Sequence, residues 1–340
     1  MATAVYRREQ SALTAVERAA PDLAPALHER LAAVERRLYE LVAVDDTFLT
    51  DSATYLIKAG GKRMRPLIVL LSAGFGDPDA PGVLTAAALV ELIHVASLHH
   101  DDVMDDAPLR HGVRSANARW GNGVAVLLGD YLLARAAAAG ATLGQAAIDL
   151  QVQTLDRLVR GQLRETLGPP PGGDPARHAL EVIADKSGSL IAMSAKLGAL
   201  VAGAPDAYVA ALGRAAERLG VAFQLTDDLL DITADPRASG KTQGTDLREG
   251  VITLPVRYAM AERGRAARRL RRIVTAGPVT GPGRLATALD LLRASPALDR
   301  TRADIAAHIA GARAEIARLP DLPPRRVLDS LCAFAAERRS

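Results

Sequence analysis

A chain of 340 residues is long enough to bury a sizeable core; 49% of it is apolar, only 3% is aromatic, and Ala, Leu and Val fill long stretches without Pro, which is a helical composition. Its 42 basic and 39 acidic residues leave a net charge of +3, so the pI of 9.2 reflects a small imbalance and implies no nucleic-acid partner. The lone cysteine, Cys332, excludes an intrachain disulfide and the usual thiolate zinc sites, and fits a reducing, cytoplasmic setting.

From the N-terminus, the first sixteen residues are charged and read as loose, with no apolar run of the kind a signal peptide needs. Apolar residues recur at helical spacing over 23–41. The run GGKRMRP at 60–66 follows, with Pro66 suited to a first helical turn, so Gly61, Lys62 and Arg65 stand where free backbone N–H groups favour an anion. Lys62 and Arg65, three apart, are candidates to grip one diphosphate.

A strongly apolar helix is expected from about Val83 to the run HHDDVMDD at 99–106, where Asp101 and Asp105 share a face with Asp102 beside them. The apolar stretch 124–148, interrupted by Asp130, Arg135 and glycines, reads as a core helix and not a membrane span. The spacing of the first cluster returns at Asp227, Asp228 and Asp231, after a second apolar helical run over 219–226. Carboxylates stacked without interleaved cations repel, and Mg²⁺, which shares its shell with phosphates, is the natural remedy for a matched pair of such clusters.

The loop 240–246, GKTQGTD, ends like a Walker A motif but has Asp235 where that motif needs its first glycine; a lid carrying Lys241 is the better reading. Breaks at 74–82, 168–175, 235–250, 277–283 and 320–324 read as turns or loops, leaving one all-α domain over 17–340.

Together, GGKRMRP, HHDDVMD, QLTDDLLD (224–231), GKTQGTD and ITLP (252–255), with Gly161-Gln162 and Lys186-Ser187, resemble the motifs of the trans-isoprenyl diphosphate synthases, or polyprenyl synthetases, from about residue 55 to the C-terminus. The resemblance implies a single-domain bundle of ten or more mostly antiparallel helices around a deep central cavity, in a homodimer. It implies three Mg²⁺ ions on Asp101, Asp105 and Asp227, helped by Asp102, Asp228 and Asp231, with charge from Arg110, Lys186 and Lys241. It also implies that Gly61, Lys62, Arg65, His94 and His111 serve isopentenyl diphosphate, that Gln224 lies near the allylic partner, and that Arg110 and Ser187 bind substrate as well. The implied reaction joins the two head to tail into a linear trans-polyprenyl diphosphate, a lipid whose release calls for transient contact with a membrane although no segment reads as an anchor.

Two positions depart from the family pattern: His111 stands in place of a second arginine, and Val251 in place of a lysine. His111, partly protonated near neutrality, would weaken isopentenyl binding or make it pH-dependent. Ala96 and Ser97, one turn before Asp101, are small, which leaves room for a medium or long product; Leu128, Leu132 and Leu133 are candidates for a deeper floor. Trp120 and Tyr131 read as core or interface residues, and His99 as a packed, hydrogen-bonded histidine with no role. Three other readings compete. A class I terpene cyclase is opposed by the intact GGKRMRP, a non-catalytic partner subunit by the presence of both aspartate motifs, and a His-Asp phosphohydrolase by the second cluster.

Overall fold

A computed structural model describes residues 12–234 and 243–337. The fold is all-α; among the described residues the sole β pairing is a hairpin of two-residue strands, Leu109–Arg110 and Val113–Arg114. The periodicity at 23–41 becomes helix Ala24–Val42, which buries Leu27, Val34, Leu38 and Val42 on one stripe. Met64–Ala73 and Val83–Met104 are apolar nearly all round and form core helices; Val83–Met104 packs against Ala24–Val42, Met64–Ala73 and Asn122–Ala141. At Gly198 a Cβ would lie 2.2 Å from the carbonyl oxygen of Val69, so helices Ser189–Val201 and Met64–Ala73 meet backbone to backbone.

The contacts divide the chain into two compact units, taken here over their described residues. The first comprises Met1–Asp156, Leu190–Ala216 and Glu315–Leu331; the second comprises Arg157–Ser189, Glu217–Ala314 and Cys332–Ser340.

Four of the expected breaks separate helices as read. The fifth, 235–250, contains a short helix, Thr245–Glu249, bounded by Gly244 and Gly250 at φ 68° and 81°. The single core helix expected over 124–148 is corrected to two helices, Asn122–Ala141 and Gln145–Leu167, parted at 142–144 where Gly144 takes φ 94°. Nor is the first of these all core, since Val126 and Leu127 are 38% and 68% exposed. By length and composition alone, Val83–Met104 and Asn122–Ala141 could cross a membrane; the former is largely buried within its unit.

Trp120 packs edge-on against Tyr55 and Phe48, with centroids 5.1 and 6.4 Å away, and the Tyr131 hydroxyl donates to the carbonyl of Val42 at 2.7 Å. Both act within the fold.

Candidate active site

In the first unit, the basic loop is held by the arginine that sequence reasoning passed over. Arg63 takes a left-handed conformation, φ 47°, as the residue before helix Met64–Ala73. Its guanidinium donates to both carboxylate oxygens of Glu35, at 2.9 Å each, to Glu91 Oε1 at 2.9 Å and to the carbonyl of Ile57 at 2.8 Å. Burial disfavours its charge, but the two glutamates outweigh that and hold Arg63 firmly protonated.

Lys62 on one side of it is exposed, while Arg65 on the other has a buried Nε without a hydrogen-bond partner. Burial lowers the Arg65 pKa, and Glu91 opposes that shift. Gly61 is crowded on one side, since an added Cβ would come 3.0 Å from Arg63 Nη1. His94 is half-buried and kept neutral, first by desolvation and then by Arg65, His111, Arg110 and Arg63. The tertiary fold therefore gathers into one electrostatic neighbourhood residues that stand far apart in the chain.

The first aspartate cluster closes helix Val83–Met104, with the Asp105 N–H donating to the Asp101 carbonyl at 2.8 Å. Asp101 is half-buried and Asp105 exposed, whereas Asp102 is fully buried. Arg110 Nε donates to Asp102 Oδ1 at 2.8 Å, leaving Oδ2 buried without a partner; burial raises the Asp102 pKa against the pull of Arg110. His111 and Gly112 make the two-residue hairpin turn, at φ 52° and 82°, which is why this motif folds into strands that the sequence pattern did not announce. Burial, with Arg110 and Arg63, lowers the His111 pKa against the pull of Asp102, which reduces the expected protonation near neutrality.

Ala96 is fully buried, and Ser97 donates to the carbonyl of His94 at 2.8 Å. Leu128 and Leu132 are buried and Leu133 half-buried. His99 is packed as expected but is not hydrogen-bonded: both ring nitrogens are buried without a partner, and burial lowers its pKa to about 4.

In the second unit, Asp227, Asp228 and Asp231 lie near the end of helix Asp206–Thr233. Asp227 is exposed and Asp228 buried. Gln224 Nε2 donates to Asp228 Oδ1 at 2.8 Å, and Ser187 Oγ donates to Gln224 Oε1 at 3.0 Å, so three predicted site residues form one chain of hydrogen bonds. Lys186 and Ser187 sit in a π-helical turn, Ala184–Gly188, a distortion frequent at functional sites. Gly161 makes room for it: an added Cβ would lie 2.9 Å from Lys186 Cγ and 3.1 Å from its backbone nitrogen.

Lys186 is ion-paired with Glu165, a residue sequence reasoning missed although it lies one helical turn beyond Gly161. Asp231 accepts the backbone N–H groups of Thr245 and Asp246, at 3.0 and 3.2 Å. That brings in Asp246, the last residue of GKTQGTD, for which the sequence pattern gives no role. Burial, then Asp231 and Asp228, raises its pKa to about 8; burial, then Asp227 and Asp231, raises that of Asp228 to about 7. Val251 is exposed, and Lys241 lies outside the described residues.

These carboxylates fit a divalent metal. Asp228, Asp231 and Asp246 crowd one another, with no lysine or arginine among the described residues offsetting the raised pKa values of Asp228 and Asp246, and Asp102 keeps an orphaned buried oxygen. Among the described residues no group of three donors is already arranged to hold an ion.

The polyprenyl synthetase family model matches residues 46–291. A nonaprenyl diphosphate synthase from Mycobacterium tuberculosis is 45% identical over 316 residues, 93% of this chain and 94% of that one. A geranylgeranyl pyrophosphate synthase from Corynebacterium glutamicum, crystallised with calcium and isoprenyl diphosphate, superimposes with a TM-score of 0.85 at 39% identity, over 94% of this chain and 98% of that one. A decaprenyl diphosphate synthase from Rhodobacter capsulatus gives 0.85 at 33% identity, over 94% and 99%.

Proposed function

The chain belongs to the polyprenyl synthetase family, and on that premise we propose that it condenses an allylic diphosphate with isopentenyl diphosphate, head to tail, into a linear trans-polyprenyl diphosphate of medium or long chain. The observation that carries the reading is the pair of aspartate clusters, each at helix spacing, with cations beside the first and the Ser187–Gln224–Asp228 chain beside the second.

In this reading Asp101, Asp105 and Asp227 are the principal magnesium ligands, with Asp102, Asp228 and Asp231 in support; Asp246 joins them. Bound magnesium, three ions by family likeness, supplies charge that stabilises the departing diphosphate. Arg110 and Lys186 add to that charge, as does Lys241. Ser187 and Gln224 orient the allylic partner, and Gly61, Lys62, Arg65 and neutral His94 hold isopentenyl diphosphate. His111, its pKa lowered, brings less charge to that site than an arginine would. The allylic C–O bond breaks, the isopentenyl double bond attacks the cation, and the proton lost afterwards passes to the released diphosphate. Positioning and electrostatics carry the rate, without a protein nucleophile.

We further read residues 17–340 as one domain, cytoplasmic and without a membrane span, since the family match runs through both compact units. A homodimer is supported by the exposed apolar side chains Val126 and Leu127 on helix Asn122–Ala141.

The test is incubation of purified protein with Mg²⁺, isopentenyl diphosphate and a series of allylic primers, followed by sizing of the dephosphorylated products. Elongated linear alcohols are expected. Cyclic hydrocarbons, or primer ionisation without use of isopentenyl diphosphate, would point to a cyclase, and no reaction at all to a partner subunit.

A further inference from the structure

Basic charge is concentrated in one segment of the second unit. Six arginines fall within 263–272, in a chain whose total is +3, so the remainder of the protein is net acidic. Helix Arg265–Val274 turns Ala267, Leu270 and Val274 inward and leaves Arg265, Arg268, Arg269 and Arg272 exposed, with exposed Arg263 just before it.

Arg271 serves the fold, donating to the carbonyl oxygens of Met260 and Glu262. The other five make no ion pair among the described residues. The nearby carboxylates are engaged elsewhere: Glu262 accepts from Ser295 Oγ at 2.7 Å, and Asp290 lies 3.6 Å from Arg293. A cleft of about 320 Å³ lined in part by Arg269 also has Glu262 and Asp290 in its wall, so it does not suit an anion.

Arginines three and four apart on one helix face repel, and Arg265 in the first turn opposes the helix dipole as well. An anionic surface laid against the helix reverses both terms. The guanidinium fork suits phosphate in particular. With its apolar stripe buried in the protein, the helix has no greasy face to insert, so its partner is a charged plane and not a hydrocarbon interior.

We propose that the exposed arginine face of 263–272 docks the protein on an anionic phospholipid surface. The functional sense of this contact, delivery of a polyprenyl product to a membrane, rests on the condensation reading above. The contact itself does not, and its test needs no turnover.

The full chain is to be sedimented with phosphatidylcholine vesicles, with and without about one third phosphatidylglycerol, and with competing RNA. Binding is expected to the anionic vesicles alone and to be lost in about 0.5 M NaCl. The triple variant Arg268→Gln, Arg269→Gln, Arg272→Gln should bind about tenfold or more weakly, while the matching triple lysine variant keeps most of the binding. An unchanged melting temperature would show that the glutamine variant is folded. Equal binding to neutral vesicles, no loss in the glutamine variant, equal loss in the lysine variant, or displacement by RNA at matched charge would each overturn the assignment.

Discussion

Arg110 holds only one of the two carboxylate oxygens of Asp102, at 2.8 Å from Nε, and the second oxygen is buried with no partner. Replacing Arg110 by Gln strips the carboxylate of its charge partner and is expected to cost about 2 kcal/mol of stability. Thermal unfolding of the metal-free protein measures this. An unchanged midpoint would mean that the pair is not formed in solution.

Asp246 and Asp228 fix a pH response for the metal-free protein. Both are raised, to about 8 and about 7, so the folded state binds more protons than the unfolded one across the range between the ordinary carboxylate pKa and those values. Their stabilising contribution is full in acid and is lost as pH rises through 7 and 8. Asp246→Asn should therefore raise stability at pH about 9 by about 2 kcal/mol, while weakening Mg²⁺-dependent turnover. Denaturant titrations at two pH values, with and without chelator, distinguish this from a general loss of packing.

His99 carries the opposite sign. Its pKa falls to about 4, so its contribution is intact above the ordinary histidine pKa and lost as pH falls below it. Between pH 7 and 5 the penalty is about 2 kcal/mol. His99→Leu removes two orphaned nitrogens and should be neutral or stabilising at pH 7 and clearly stabilising at pH 5. A loss of stability at both values would show that the imidazole has a partner.

Gly161→Ala opposes two effects. Alanine favours the helix by about 1 kcal/mol, but its Cβ meets Lys186 Cγ at 2.9 Å and Asp185 Cβ at 3.0 Å. Stability should change little, whereas kcat should drop by about tenfold or more as Lys186 and Ser187 are displaced from the π-helical turn. Steady-state kinetics beside a melting curve reads both.

Ala96→Phe should shorten the products if the allylic tail passes that residue. Since Ala96 is fully buried, overpacking is expected to cost about 1–3 kcal/mol as well. An unchanged product distribution from a folded variant would remove Ala96 from the channel.

The two aspartate clusters were legible in the sequence because i, i+1, i+4 spacing on a helix is local geometry, and so were most helix boundaries, which glycine and proline mark. What escaped was long-range or conformational. Arg63 looked like one more cation in a basic run, because its partners Glu35 and Glu91 lie 28 residues to either side. The π-helical turn has no distinctive composition, and the hairpin at 109–114 is too short to show alternation. Glu165 and Asp246 were in view but gained meaning only from Lys186 and Asp231, whose distances no spacing encodes.

The anchoring of Arg63 has a kinetic corollary. Because Glu35, Glu91 and the Ile57 carbonyl fix the residue between Lys62 and Arg65, the loop takes its shape when the chain folds and need not be ordered anew at each encounter with a diphosphate. Entropy lost once in folding is then spared in every catalytic cycle. A lesion at Glu35, on a different helix and outside the proposed ligand set, would accordingly surface as a raised KM for isopentenyl diphosphate before it surfaced as a lower kcat.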